Sequence, residues 1–395
     1  MGLKIIIVGA GIGGLTAALC LARSGHHVCL LEQAAEFKEV GAGIQCGANA
    51  LHVFEHLDLL QTLKPLAVAP QRVEFKDYKT GRVLYEMPLG ANYESRFHHP
   101  YWNLHRADLV STLVSEVQLS ERIDLHLNTE FRSYCESGQG IKVDTSQGQF
   151  EAQLLIGADG IRSKIRRQMQ AEYTPRFTGN VAWRATIAVD KLPQNWMPTI
   201  VSNFAGPKKH AVLYYLRAKQ LVNLVAVVEN SKWHDDSWMA SAPIDELRDD
   251  FSGWHKTVGT FIDAIESTSC YRWALHDHLP LKSWTDSAVV LIGDAAHASL
   301  PFMAAGGAMA IEDARVLDRA LLANNNIQDA LKCYQATRLP RTSKIQSLSR
   351  KAGAVYHFRN RLIRQAAFTG MRVMAKKNES LLPSYNANTV KLSEF

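Results

Sequence analysis

The chain has 395 residues and a net charge of +6, with 47% hydrophobic and 21% charged residues, 25 glycines and 13 prolines. This balance excludes a disordered or fibrous protein, and the length suits two or three domains, each with its own core. No run approaches 18 consecutive apolar residues, and the apolar run at residues 3–8 ends in glycines without a cleavage pattern, so a membrane-spanning or secreted protein is not expected.

Residues 3–31 read as strand, glycine turn, helix and strand, a single βαβ unit. A parallel pair needs a crossover helix, and strands covered on both faces are apolar throughout rather than alternating. Short strands are expected within residues 72–86 around Lys79-Thr80-Gly81, then a helix over 104–117. Alternation returns at 123–127 and 141–145, and residues 152–156 read as a buried strand. A β-rich stretch, 180–229, carries Trp183, Phe204, Tyr214 and Tyr215. Residues 288–292 are again a buried strand, and everything from Gly307 onward reads helical. No internal repeat appears, which excludes a solenoid.

The six cysteines, Cys20, Cys29, Cys46, Cys135, Cys270 and Cys333, contain no C-x-x-C pair. They read as reduced thiols of a cytoplasmic protein, and no metal site is expected. Residues 338–378 hold 11 Lys/Arg and no Asp/Glu, leaving the remainder net negative. Such a segment attracts nucleic acid or an anionic membrane; the reading preferred here is the solvated faces of terminal helices, with no nucleic-acid partner.

Gly9, Gly11 and Gly14 form G-x-G-x-x-G directly after a strand and at the start of a helix. The first glycine permits the turn, the second admits a pyrophosphate, and the third allows close helix–strand packing. Glu32 ends the second strand, placed to accept hydrogen bonds from ribose hydroxyls and to disfavour a 2′-phosphate. This fingerprint indicates dinucleotide binding but does not separate NAD from FAD.

Two later segments make that separation. In residues 154–167 a buried strand runs into Asp159-Gly160, then Ser163 and Arg166 on a helical turn. In residues 289–314 a strand leads to Gly293-Asp294, a loop with Pro301, and Gly306-Gly307 opening a long helix. With these, the glycine fingerprint and LHRADL at 104–109, the sequence resembles the single-component FAD-dependent aromatic hydroxylases of the salicylate, hydroxybenzoate and hydroxynicotinate type. The four motifs occur in order across nearly the whole chain. The resemblance implies an α/β fold: a Rossmann-like FAD-binding domain (1–70, 100–178 and 271–340), a β-sheet substrate domain interrupting it (71–99 and 179–270), and C-terminal helices (341–395).

The resemblance also implies roles. Arg106 matches the arginine at the FAD pyrophosphate, and Asp159 and Gly160 match the segment touching FAD and the nicotinamide. Asp294 matches the acid on the ribityl side, and Gly306, Gly307 and Ala308 match the backbone beside the flavin pyrimidine. A helix N-terminus there stabilises charge on the reduced flavin. The loop 41–51, which includes Gly41, resembles the segment beside the isoalloxazine, with Gln45 as a flavin contact. No second G-x-G-x-x-G follows a strand, so NADH or NADPH is expected as a visiting co-substrate.

The resemblance further implies that dioxygen then adds to the reduced flavin, giving a hydroperoxide that hydroxylates a small phenolic or heteroaromatic acid. The protein must exclude water and deprotonate the phenol. His210 opens a strand, and Tyr214, four residues on, shares its face; this pair resembles the proton-handling pair of hydroxynicotinate-type members. Arg184 is the candidate for a substrate carboxylate. Pro301 and Phe302 are expected at the substrate ring, where a polar residue in several relatives is Phe302 here. His297 reads as structural. A monomer or homodimer is expected.

The alternatives are a related monooxygenase acting on a lipid-like substrate at a membrane surface, a flavin-binding redox protein without turnover, or an NAD-dependent dehydrogenase. In the first, Leu362, Ile363, Ala366, Phe368, Met371 and Met374 offer apolar contacts.

Overall fold

The computed structural model describes residues 2–37, 43–138, 140–170, 174–230, 240–241, 243–266, 270–378 and 380–394, with the side chains of 240, 241 and 373–378 left out. Gly41 and the side chain of Met374 therefore lie outside the described residues.

Two sheets organise the chain. The first has six strands in the order Thr285–Asp286, Val289–Leu291, Leu154–Gly157, Lys4–Val8, His27–Leu31 and Ile123–His126. All its pairings are parallel except the edge pair 285–286 with 289–291. Ile5, Ile6, Ile7, Leu154, Leu155 and Ile156 have no exposed surface, as strands covered on both faces require. Helix Ile12–Arg23 makes the first crossover, and helix Gly306–Ala323 packs across it.

The second sheet has eight strands: Ala240–Ser241, Cys270–Asp277, Arg176–Ala188, Leu221–Glu229, Lys209–Leu216, Val201–Gly206, Arg72–Asp77 and Val83–Pro88. Its two faces bury different cores, and the period of two sorts neighbours between them. Trp183, Phe204, Leu213 and Tyr215 face one core, which also holds Leu247 and Phe261 of the helices Ile244–Asp250 and Lys256–Asp263. Tyr214, Trp273, Phe302 and Tyr356 face the other. A ribbon of Gly43–Cys46 and Trp102–His105 is tied to the second sheet, where the Gly43 N–H donates to Asn223 Oδ1 at 3.1 Å.

Several elements differ from the sequence expectation. The helix expected over 104–117 is Arg106–Leu119, because Leu104 and His105 are held in the ribbon opposite Ile44 and Gly43. Strand Cys270–Asp277 pairs along Arg176–Ala188, so the second sheet reaches past the boundary expected at 271. The boundary expected at 340/341 falls inside one 30-residue helix, Ile327–Tyr356, which carries Pro340 internally. The final segment does not stay helical. After helix Arg361–Asn378 the chain turns back, and Ala387 is buried in the core of the first sheet.

The basic segment is not simply a solvated face. Arg338 has no exposed surface and meets two acids of helix Gly306–Ala323, with Nη1 2.6 Å from Glu312 Oε2 and Nε 2.7 Å from Asp313 Oδ1. Arg341 adds a 2.7 Å pair to Glu312, Arg350 a 2.7 Å pair to Asp277, and Arg364 a 3.1 Å pair to Asp77. Phe368, one of the apolar residues considered for membrane contact, is fully buried and stacks parallel to Tyr356, whereas Leu362 and Ile363 are exposed. Among the described residues no helix is long and apolar enough to cross a membrane.

Burial alone would push the Asp313 carboxyl up, but the His297 and Arg338 contacts reverse this and hold it at about 2, below its ordinary 3.8. Glu312 is likewise held below 4.5 against its burial, by Arg341 and Arg338. Both folded values are depressed, so the cluster stabilises the fold fully above the ordinary values and loses that contribution as pH falls through them toward about 2. Arg338→Met leaves two buried acids short of a partner and is expected to cost about 3–5 kcal/mol at neutral pH. The deficit should narrow as pH falls toward 3, where the acids of the variant are protonated; urea titrations of both proteins across pH measure this.

Candidate active site

The nucleotide end is built at the carboxyl edge of the six-stranded sheet. Gly9 has φ +102°, and an added Cβ would lie 2.5 Å from the Ala158 carbonyl. A Cβ on Gly14 would lie 1.9 Å from the Gly9 carbonyl, so the helix packs where only hydrogen fits. Gly11 is the opposite case: a Cβ there would meet nothing within 4 Å. It opens onto empty space at the start of helix Ile12–Arg23, whose N-terminus has no side-chain cap. Glu32 folds back onto this turn, accepting the Ala10 N–H at 2.8 Å on Oε2 and the Ala34 N–H at 2.9 Å on Oε1. Each oxygen keeps a second lone pair for a ribose hydroxyl.

The other predicted cofactor residues border the same cleft. Asp159 Oδ2 accepts the N–H groups of Lys164 and Ile165, while Oδ1 is buried with no hydrogen-bond partner. Burial pushes this carboxyl up. Gly160 has φ +75° and faces open space. Asp294 is exposed, and a Cβ on Gly306 would sit 3.9 Å from its Oδ1, so the two motifs adjoin. Helix Gly306–Ala323 starts without a side-chain cap, leaving the first-turn N–H groups of Gly306, Gly307 and Ala308 outside its own ladder. Ile44 of the ribbon occupies the space Gly307 leaves, 2.6 Å from an ideal Cβ. Gln45 donates to Asn103 Oδ1 at 3.3 Å, and Asn103 Nδ2 is buried without a hydrogen bond. Arg106 opens helix Arg106–Leu119 and is close enough to Arg184 to lower its pKa.

These features fit FAD. Gly11 and Gly160 leave unfilled cradles, two helix N-termini lack caps, and buried donors and an acceptor lack partners. The ribbon and the start of helix Gly306–Ala323 would hold the isoalloxazine, Gly11 and the first helix the pyrophosphate, and Glu32 the ribose.

The substrate side is the inner face of the eight-stranded sheet. At its centre Val212 and Val225 stay partly exposed, with His210 and Tyr214 on the same strand buried. Register places Arg184 opposite Val225 and Val225 opposite Val212, with His210 and Tyr214 two residues to either side of Val212. Arg184 lies with its guanidinium carbon 4.3 Å from the Trp273 ring centre, and its buried Nε has no hydrogen-bond partner. Burial lowers its pKa to about 10, opposed by nearby Tyr214. The Tyr214 ring fills the space left by Gly43, so it presses on the ribbon. Tyr101 closes the region, its phenol pushed well up by burial, with Tyr93 and Tyr214 adding to the effect.

His210 and Tyr214 share a face but not neighbours, since four residues of strand separate them by roughly 13 Å. His210 packs on Phe302 and Tyr356, with ring centres 5.3 and 5.4 Å away. Its Nδ1 lies 2.8 Å from His357 Nε2, and His357 Nδ1 lies 3.2 Å from Glu229 Oε1. Burial and the neighbouring His357 push the pKa of His210 well down. Pro301 starts the turn Pro301–Met303, and Phe302 fills the space above Gly353, where a Cβ would lie 2.4 Å from its ring. His297 sits in the buried ion cluster on Asp313, and Asn49, next to the ribbon, donates to Glu312 at 2.6 Å.

Sequence reading missed His357, Glu229, Asn223, Asn103 and the Glu312–Asp313–Arg338 cluster. Asn223 carried a signal, as a polar residue inside the apolar run LVNLVAVV. So did Glu312-Asp313, acids in an otherwise apolar helix face, since buried charge requires partners. His357 carried none.

The chain matches the FAD binding domain family over residues 2–349. It is 34% identical to 3-hydroxybenzoate 6-hydroxylase of Polaromonas naphthalenivorans over 93% of this chain and 92% of that protein. It is 32% identical to 6-hydroxynicotinate 3-monooxygenase of Pseudomonas fluorescens over 88% of this chain and 90% of that protein. Among solved structures, a salicylate hydroxylase substrate complex superposes with a TM-score of 0.83 at 25% identity, covering 98% of this chain and 96% of that one.

Removing the Glu32 carboxylate removes acceptors for two ribose hydroxyls. Glu32→Ala is expected to weaken FAD retention roughly 10–100-fold, the loss of one to two charge-assisted hydrogen bonds. Fluorescence titration of apoprotein with FAD measures it; unchanged affinity would remove Glu32 from the ribose site.

Proposed function

Because the chain belongs to the FAD-binding-domain family of flavin-dependent aromatic hydroxylases, we propose that it hydroxylates a small phenolic or heteroaromatic acid held over Val212 and Val225. It is an FAD-dependent monooxygenase with NAD(P)H as co-substrate and dioxygen as oxidant. We read it as a cytoplasmic enzyme. The observation that supports the substrate reading is the partly exposed valine floor, bracketed by the guanidinium of Arg184 and the imidazole of His210 in one register.

When bound, FAD supplies hydride acceptance and oxygen activation; the chain supplies placement and proton handling. Arg184 binds the carboxylate, its planar guanidinium already fixed against Trp273. Tyr214 and Phe302 flank the ring and help exclude water. His210 takes the phenol proton, which raises ring electron density.

The hydrogen-bonded chain behind His210 sets which of its nitrogens does so. The Glu229 carboxylate only accepts, so His357 Nδ1 carries the proton that faces it. His357 Nε2 is then a lone pair that accepts from His210 Nδ1–H, leaving Nε2 of His210 as the base. A proton received there is relayed as Nδ1–H passes to His357 and the proton on its Nδ1 passes to Glu229, whose side chain is 42% exposed.

NADH and NADPH consumption by FAD-loaded protein, with peroxide and hydroxylated product quantified, across hydroxybenzoates, hydroxynicotinates and anthranilate-like acids, tests the reading. One compound is expected to accelerate consumption and yield product with little peroxide. Acceleration by none of them would overturn the aromatic-acid assignment. His210→Ala should slow hydroxylation about 10²-fold or more while changing flavin reduction little. Glu229→Gln should slow the same half-reaction less. Equal effects on both half-reactions would dismiss His210 as the base.

A further inference from the structure

One cluster of ligating side chains lies outside the machinery described above. Helix Ala48–His56 carries His52 and Glu55 three residues apart, so they lie on one helical face. His99, in the link between helix Ala91–Phe97 and strand Trp102–His105, comes against them. One ligand atom from each of the three lies within 4.8 Å of the other two.

The imidazoles are buried, His52 at 8% exposure and His99 at 6%, with ring centres 4.5 Å apart. His99 Nε2 makes no hydrogen bond: Glu55 Oε2 is 3.3 Å away, without hydrogen-bond alignment. A buried ring nitrogen without an aligned hydrogen bond, beside a carboxylate, has room for a further ligand between them.

We propose that His52, Glu55 and His99 form a binding site for a zinc-class divalent cation, with water in the fourth position. Two imidazole nitrogens and one carboxylate suit zinc, cobalt(II) or nickel(II); calcium and magnesium favour oxygen donors. Tetrahedral ligands at about 2.0–2.1 Å from zinc stand roughly 3.4 Å apart. The present spacing closes to that through a small inward movement shared among the three side chains, with Glu55 the freest because its side chain is 60% exposed. The ion would tie the end of helix Ala48–His56 to the link that leads into the ribbon strand Trp102–His105. It would act on stability and placement of the ribbon, with no part in the oxygen chemistry.

The test is calorimetric titration of untagged, EDTA-treated, FAD-loaded protein with Zn²⁺ alone, beside thermal unfolding with and without Zn²⁺. One equivalent is expected to bind, and at a hundredfold excess over Kd the Tm should rise by roughly 3–6 °C. Glu55→Gln, a change at an exposed position, should weaken binding at least about tenfold, and His99→Gln should abolish it, with flavin absorbance reporting that each variant is folded. No binding by the unaltered protein, or binding that neither variant reduces, would overturn the site. Either result leaves the hydroxylase reading untouched, since turnover does not pass through these residues.

Discussion

The geometry of the molecule depends on one buried charge cluster. Arg338 is without exposed surface and faces Glu312 and Asp313, which are equally buried. Its guanidinium fixes helix Ile327–Tyr356 against helix Gly306–Ala323, and each helix carries part of the active site at one end. Helix Gly306–Ala323 begins at the proposed flavin position, and helix Ile327–Tyr356 ends immediately before His357, behind His210. From Arg338 to His357 that helix runs about 28 Å at 1.5 Å per residue. Asn49 and His297 attach the ribbon and the Asp294 turn to the same acids. A cluster with no proposed contact to substrate thus sets the relation between cofactor and base.

The eight-stranded sheet divides its labour by side-chain alternation. Trp183 and Tyr215 turn into the outer core, where the Trp183 indole donates to Asp250 and the Tyr215 hydroxyl to the Met197 carbonyl. Their chain neighbours Arg184 and Tyr214 turn inward to the proposed pocket. The outer face holds the strands in register, and the inner face is free to leave Val212 and Val225 partly exposed.

Legibility followed the range of the forces involved. The glycine turn and Glu32 were readable because strand, turn and helix fall within some thirty residues, and only Gly tolerates the approach seen at Gly9 and Gly14. Parity along a strand put His210 and Tyr214 on one face, as the register has them. The same parity could not say that His210 would meet His357, because that meeting depends on where a helix 147 residues away comes to rest. The buried ion pairs of the basic segment lay beyond local reading for a related reason. Their acids, Asp77, Asp277, Glu312 and Asp313, are scattered along the chain, and only the packed fold brings them to Arg364, Arg350, Arg341 and Arg338. Helix Ile327–Tyr356 runs through Pro340, and the neighbouring Arg338 and Arg341 anchor it on both sides.

The order in which strands enter the two sheets bears on how the molecule is made. The chain leaves the first sheet after Gly157 and returns only at Thr285, and Leu155 pairs with Val289 across that gap. Parallel pairings that close such long loops carry their entropy cost before any contact offsets it. During synthesis the edge of strand Leu154–Gly157 therefore stays open until the whole second sheet and the strand beyond it have emerged from the ribosome. Over that interval the nascent chain exposes an apolar strand edge, the kind of surface that chaperones shield, and the first sheet cannot close until the second is complete.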